Sequence, residues 1–74
     1  MNRGLYDTVI EIGQTLSRDK AEKVARAAIQ RGFDVSCTVD GWKIYHVKTG
    51  YLDRVEALGI YHRLQKAGFT PVMM

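Results

Sequence analysis

A chain of 74 residues with net charge +3, 46% apolar and 26% charged residues is read as one ordered domain. It is too short to enclose a deep active site, because a chain of this size buries only about 60% of the surface its unfolded form exposes. The lone Cys37 excludes an internal disulfide framework and a zinc constellation, and the sequence has neither a signal-type N-terminal core nor an apolar run of about 18 residues. Residues 1–74 are therefore expected to form a single domain with a flexible lead-in at 1–7. As written the chain is expected in the cytoplasm; as an excised piece of a larger protein it would belong to the cell envelope or periplasm.

The first strand is expected at Thr8–Ile12, rich in β-branched residues and ended by Gly13. Ser17 then caps a helix whose apolar residues Ala21, Val24, Ala25, Ala28 and Ile29 recur at helical spacing, one core stripe on a charged surface. On that helix Arg18, Lys20, Lys23, Arg26 and Arg31 outnumber Asp19 and Glu22, with Asp19 expected to pair with Lys23 and Glu22 with Arg26. Gly32 ends the helix in the left-handed conformation. Phe33–Val39 alternates apolar and polar as a strand, which makes Cys37 a small buried hydrophobe.

Asp40-Gly41 signals a two-residue type I′ hairpin, and Trp42–Thr49 returns as the third strand. Asp53 caps a second helix and forms a capping box with Glu56. Ala57, Ile60, Tyr61 and Leu64 give that helix its core stripe, and Gly68 ends it as Gly32 ended the first. Phe69–Met74 is the last strand, placed at an edge by Pro71.

The chain repeats itself. Leu16-Ser17-Arg18 through Gly32-Phe33 recurs as Leu52-Asp53-Arg54 through Gly68-Phe69. Two β-α-β halves with right-handed crossovers, joined by a hairpin, fold most naturally as a ferredoxin-like α+β domain. Its βαββαβ order gives a four-stranded antiparallel sheet, strand order 4-1-3-2, with two helices on one face and the other face bare.

Alternation decides what the bare face shows. Phe33, Val35, Cys37 and Val39 turn to the helices, leaving Ser36 and Thr38 outside; Tyr45, Val47 and Thr49 turn in, leaving Trp42, Ile44, His46 and Lys48 outside; and on the first strand Val9 and Glu11 face out. Glu11, Ser36, Thr38, Trp42, His46 and Lys48 are thus the candidate ligand-binding residues, a set suited to a polar molecule with flat apolar faces. The alternative is a plain cross-strand ion pair of Glu11 with Lys48 and a second subunit over Trp42 and Ile44, which leaves a homodimer open.

No catalytic residue, metal site or cofactor is expected. Cys37 turns away from His46, no second carboxylate stands near Glu11 at a motif-like spacing, and His62 sits mid-helix as a solvated side chain. Phosphate-binding and dinucleotide-binding glycine motifs are absent from the sequence. RNA-binding sheets of this layout stack bases on aromatics of the central strands, where this chain offers Glu11 and His46, so nucleic acid is not the expected partner.

Ile10-Glu11-Ile12-Gly13 and Val47-Lys48-Thr49-Gly50, with Gly32-Phe33 and Gly68-Phe69 in step, resemble the pattern of the SPOR domain, the sporulation and cell-division repeat family. The resemblance spans residues 8–74. It implies binding of peptidoglycan, in particular glycan strands stripped of stem peptides, through the uncovered sheet face. By the same resemblance Glu11 stands at the place of a familiar glutamine, His46 or Lys48 at that of the usual arginine, and Leu16 and Leu52 replace the aromatic after each glycine.

A second reading is a small cytoplasmic protein, of the kind a phage encodes, that binds and modulates or inhibits a protein partner. It would use the same face, or the second helix, where Val55, Leu58 and Gly59 form an apolar strip. A third is an anionic polymer along the first helix, with binding that fades steeply with salt.

Overall fold

The computed structural model describes residues 6–74. The expected lead-in at 1–7 therefore lies, over 1–5, outside the described residues. The elements are β1 (Ile10–Thr15), α1 (Arg18–Gln30), β2 (Val35–Val39), β3 (Tyr45–Thr49), α2 (Arg54–Lys66) and β4 (Val72–Met73). The sheet is antiparallel with order β2-β3-β1-β4, the expected ferredoxin-like arrangement read from the other edge.

Both helices begin and end as their sequences dictate. Ser17 Oγ accepts from the Lys20 amide at 3.3 Å, and Asp53 Oδ1 accepts from the Glu56 amide at 2.8 Å, the forward half of the expected box. At the other ends Gly32 (φ 90°) and Gly68 (φ 95°) take the left-handed conformation. The following Phe33 and Phe69 amides then reach back to the carbonyls of Ala28 and Leu64, each at 3.0 Å, closing two Schellman motifs.

Those caps explain why two strands start later than their alternation predicts. The Phe33 and Phe69 amides are spent on helix carbonyls and cannot join a ladder, so β2 begins at Val35 and β4 shrinks to Val72–Met73 behind buried Pro71. The two phenylalanines meet edge to face, ring centroids 6.2 Å apart, with the Arg63 guanidinium 5.2 Å from the Phe33 centroid. Arg31 Nη1 donates to the Ala67 carbonyl at 3.0 Å and ties the ends of the helices together.

The core lies between the sheet and the helices. Ile10, Ile12 and Val47 rise from the sheet against Ala21, Ala25 and Ala28 of α1 and Ala57 and Leu64 of α2. The alanines let the helix backbone approach the strands closely. Ile29, expected in the stripe, is exposed at its margin. Cys37 is exposed too, against expectation: only the Val35 end of edge strand β2 is buried, and Cys37 and Val39 lie toward the hairpin, past the cover of the helices. The ion pair on α1 is Arg18 with Glu22, 3.0 Å, in place of the expected pairs.

Gly13 does not end β1. The strand runs on to Thr15 through a bulge between Glu11 and Gly13, and Gly13 pairs with Val47. A Cβ on Gly13 would lie 3.5 Å from both Val24 and Val47, ordinary van der Waals contact, so this position under α1 and beside β3 has room for a methyl group. Beside the bulge the Ile10 amide donates to Thr49 Oγ1 at 3.0 Å, and that hydroxyl donates to the Gly50 carbonyl at 2.8 Å. After the bulge Gln14 stands opposite His46 on the bare face.

Candidate binding face

The β2–β3 connection shapes one end of the bare face, and it is not the expected type I′ turn. Asp40 Oδ1 accepts from the amides of Trp42 (2.8 Å) and Ile44 (3.1 Å), while the Lys43 amide donates to the Asp40 carbonyl at 3.1 Å. The left-handed residue is Lys43 (φ 63°) rather than Gly41. The result is a type I turn followed by a left-handed residue, the three-residue hairpin, stabilised by an aspartate side chain that satisfies the loop amides. The extra loop residue lifts Trp42 out of the strand to the hairpin tip, where it is 82% exposed.

On the strands the candidate residues fall in two rows. Thr38, His46 and Gln14 stand side by side across β2, β3 and β1; Ser36, Lys48 and Glu11 form the next row. Ser36, Thr38, Glu11, His46 and Lys48 therefore share a face as expected. Trp42 overhangs one end from the loop.

The centre of the face is a histidine held between two carboxylates. His46 Nδ1 lies 2.5 Å from Glu11 Oε2, and Nε2 lies 2.8 Å from Asp40 Oδ2. Glu11 Oε1 accepts from Gln14 Nε2 at 3.4 Å. The expected ion pair of Glu11 with Lys48 is not formed: the two are opposite in register, yet Glu11 is taken by His46, and Lys48 makes no ion pair within 4.0 Å among the described residues. No second carboxylate stands at a motif-like spacing from Glu11, yet the fold supplies one, since the hairpin brings Asp40 to the other side of the ring.

A groove of about 440 Å³ opens over this cluster, with Asp7, Val9, Tyr51 and Met74 on its walls. Most of its polar groups are already partnered. Glu11 and Asp40 hold His46, and Asp7 Oδ1 accepts from Thr8 Oγ1 at 3.2 Å. The Lys48 ammonium, the hydroxyls of Ser36, Thr38 and Tyr51, and the Trp42 indole N–H are side-chain groups of the face without such a commitment among the described residues. His62, by contrast, is exposed on α2 beside Tyr61, as expected.

The cluster sets a pH dependence. The bonds to Asp40 first and Glu11 second hold the His46 pKa above its ordinary 6.5, outweighing the opposite pull of burial. The bond from His46, followed by the Ile44 amide, holds the Asp40 pKa below its ordinary 3.8. A raised histidine pKa contributes stability that is complete below 6.5 and lost as pH rises through the raised value; a lowered aspartate pKa contributes stability present above 3.8 and lost as pH falls through the lowered value. The thermal midpoint is therefore expected to be highest between these pH values and to fall on the alkaline side in the wild type but not in His46→Gln. A midpoint that rises from pH 6 to pH 8 would contradict the assignment.

Two members of the cluster, Gln14 and Asp40, and residues of the groove wall, Asp7 among them, are outside the set of expected site residues. Gln14 had a signal, a glycine inside the β-rich run Ile10–Thr15, which marks a bulge. Asp40 had one as well, since aspartate at a turn start bonds the amides that follow. Asp7 had none, because its place follows from how the approach to β1 runs past the groove.

Fold and face together define a small βαββαβ domain with an uncovered, grooved sheet. Among solved structures the chain is similar to the peptidoglycan binding domain of the B. subtilis cell wall lytic enzyme CwlC, with a TM-score of 0.81 and 24% identity over 100% of this chain and 91% of that one. That likeness establishes a shared fold. No family model matches the sequence, and no curated protein matches it.

Proposed function

We propose that the chain is a non-catalytic, SPOR-like module that binds peptidoglycan glycan strands in the groove of its bare sheet face. The observation that carries this reading is a face left uncovered by both helices, grooved, and fitted with uncommitted hydroxyls and one ammonium, on a fold shared with a peptidoglycan binding domain. Trp42 would stack on a sugar ring, while Ser36, Thr38 and Lys48 orient hydroxyl, acetamide and carboxylate groups. Glu11 and His46 serve as the floor. Catalysis is not part of the reading: Cys37 pairs with Val47 and faces away from His46, and both ring nitrogens of His46 are engaged. The reading places the chain, or a protein that contains it, in the cell envelope.

Sedimentation with amidase-treated sacculi tests this. Wild type is expected in the pellet, and the double substitution Trp42→Ala, His46→Ala in the supernatant with an unchanged helical circular dichroism spectrum. Equal retention of both would remove the proposed face.

A protein partner is the second reading, favoured by the outer side of α2. Val55 is 82% exposed there, and exposed Leu58 lines a shallow groove with Pro71 and Val72. It predicts a stoichiometric complex that survives Trp42→Ala and is lost on Leu58→Asp, with no retention on sacculi.

A further inference from the structure

We propose that His46 is a positioning residue: with both ring nitrogens protonated it latches the hairpin 40–44, and so Trp42, to the β1–β3 face, and loss of one proton releases the latch. Only the consequence for ligand binding rests on the glycan reading; the latch itself is a property of the folded chain.

The atoms form one continuous chain of bonds. Gln14 Nε2 donates to Glu11 Oε1, His46 Nδ1 to Glu11 Oε2, His46 Nε2 to Asp40 Oδ2, and the Trp42 and Ile44 amides to Asp40 Oδ1. It starts at the β1 bulge and ends at the hairpin tip. An ionised carboxylate only accepts, so a ring between two of them must donate from both nitrogens, and a neutral imidazole has one N–H and one lone pair. Deprotonation thus leaves one carboxylate facing a lone pair.

Burial decides which one. The Glu11 side chain is 10% exposed on a central strand, whereas the Asp40 side chain is 30% exposed on a loop. Asp40 can be rehydrated by a movement of the hairpin; Glu11 cannot be without opening the sheet. The remaining proton therefore stays on Nδ1 toward Glu11, and the bond from Nε2 to Asp40 parts. Asp40 Oδ1 keeps its two amides, so the hairpin loosens as a unit.

The other groups around the ring adjust this balance without replacing it. Lys48, next on the same face of β3, opposes the His46 proton, and Asp7 across the groove favours it; Thr38 of β2 and Gln14 of β1 are neutral, and Tyr51 presents a hydroxyl from the groove wall.

Nuclear magnetic resonance of the isotopically labelled chain between pH 5 and pH 9 tests the latch. The His46 ring and the Trp42 and Ile44 amides are expected to shift together, with one midpoint above 6.5. His62→Gln leaves that transition in place. Asp40→Asn keeps an acceptor for the loop amides but presents a neutral group to Nε2, so it lowers the His46 midpoint and flattens the hairpin amides. Hairpin amides that stay flat in the wild type while the ring titrates would overturn the proposal, as would an undiminished hairpin transition in His46→Gln. Retention on amidase-treated sacculi should fall through the same pH step. Coupled titration with no retention at any pH supports the latch and removes only the glycan reading.

Discussion

Leu64→Ala is expected to lower the stability of the domain by about 2–5 kcal/mol, the cost of lost transfer energy plus the cavity left behind. Leu64 is 0% exposed and sits where α2 meets the rest of the core, and its carbonyl also accepts from the Phe69 amide. At about 0.05–0.15 kcal/mol per residue, 74 residues give a total of only about 4–11 kcal/mol. One substitution thus removes a large share of the whole. Urea unfolding followed by circular dichroism should show the midpoint drop sharply, while Val55→Ala on the outer side of the same helix stays within about 0.5 kcal/mol of wild type. Equal effects at the two positions would mean that α2 packs through a different face.

Phe33→Ala is expected to cost as much or more, about 3–5 kcal/mol. The ring is buried, meets Phe69 edge to face and lies under the Arg63 guanidinium, so its loss empties the point where the two halves of the chain touch. Phe33→Leu keeps most of the volume and should cost clearly less. Phe69 is only half-buried, so Phe69→Ala should be the milder of the two alanine substitutions. The reverse ranking in denaturant unfolding would contradict this account of the core.

The same two phenylalanines show what could be read from the residues alone. Glycine followed by phenylalanine after each helix was legible as a repeated helix end, and with the capping residues Ser17 and Asp53 it carried the whole βαββαβ order. That each Phe amide returns to a helix carbonyl was not, and both following strands are therefore shorter than their alternation predicts. Alternation placed Ser36, Thr38, His46 and Lys48 on one face because β2 and β3 pair without interruption. It failed at Gly13 and at Asp40-Gly41, where a bulge and a three-residue loop each add a residue that period-two counting does not contain.

Those two irregularities make the site. The bulge turns Gln14 toward Glu11, and the loop turns Asp40 toward His46 while lifting Trp42 to the tip. The repeat built the scaffold from residues shared by both halves, whereas the face is built from residues that the halves do not share. A ring bonded to carboxylates from two other elements is a tertiary fact that spacing in one strand cannot show.

Glycan binding by the bare sheet face is tested most directly by an amide correlation spectrum of the labelled chain titrated with soluble glycan strands released by amidase. Glycan binding on the bare face should shift resonances of Ser36, Thr38, Trp42, His46 and Lys48 and leave the outer faces of α1 and α2 unmoved. Shifts confined to Lys23, Arg26, Val55 or Leu58, or a spectrum that does not change at saturating glycan, would contradict it.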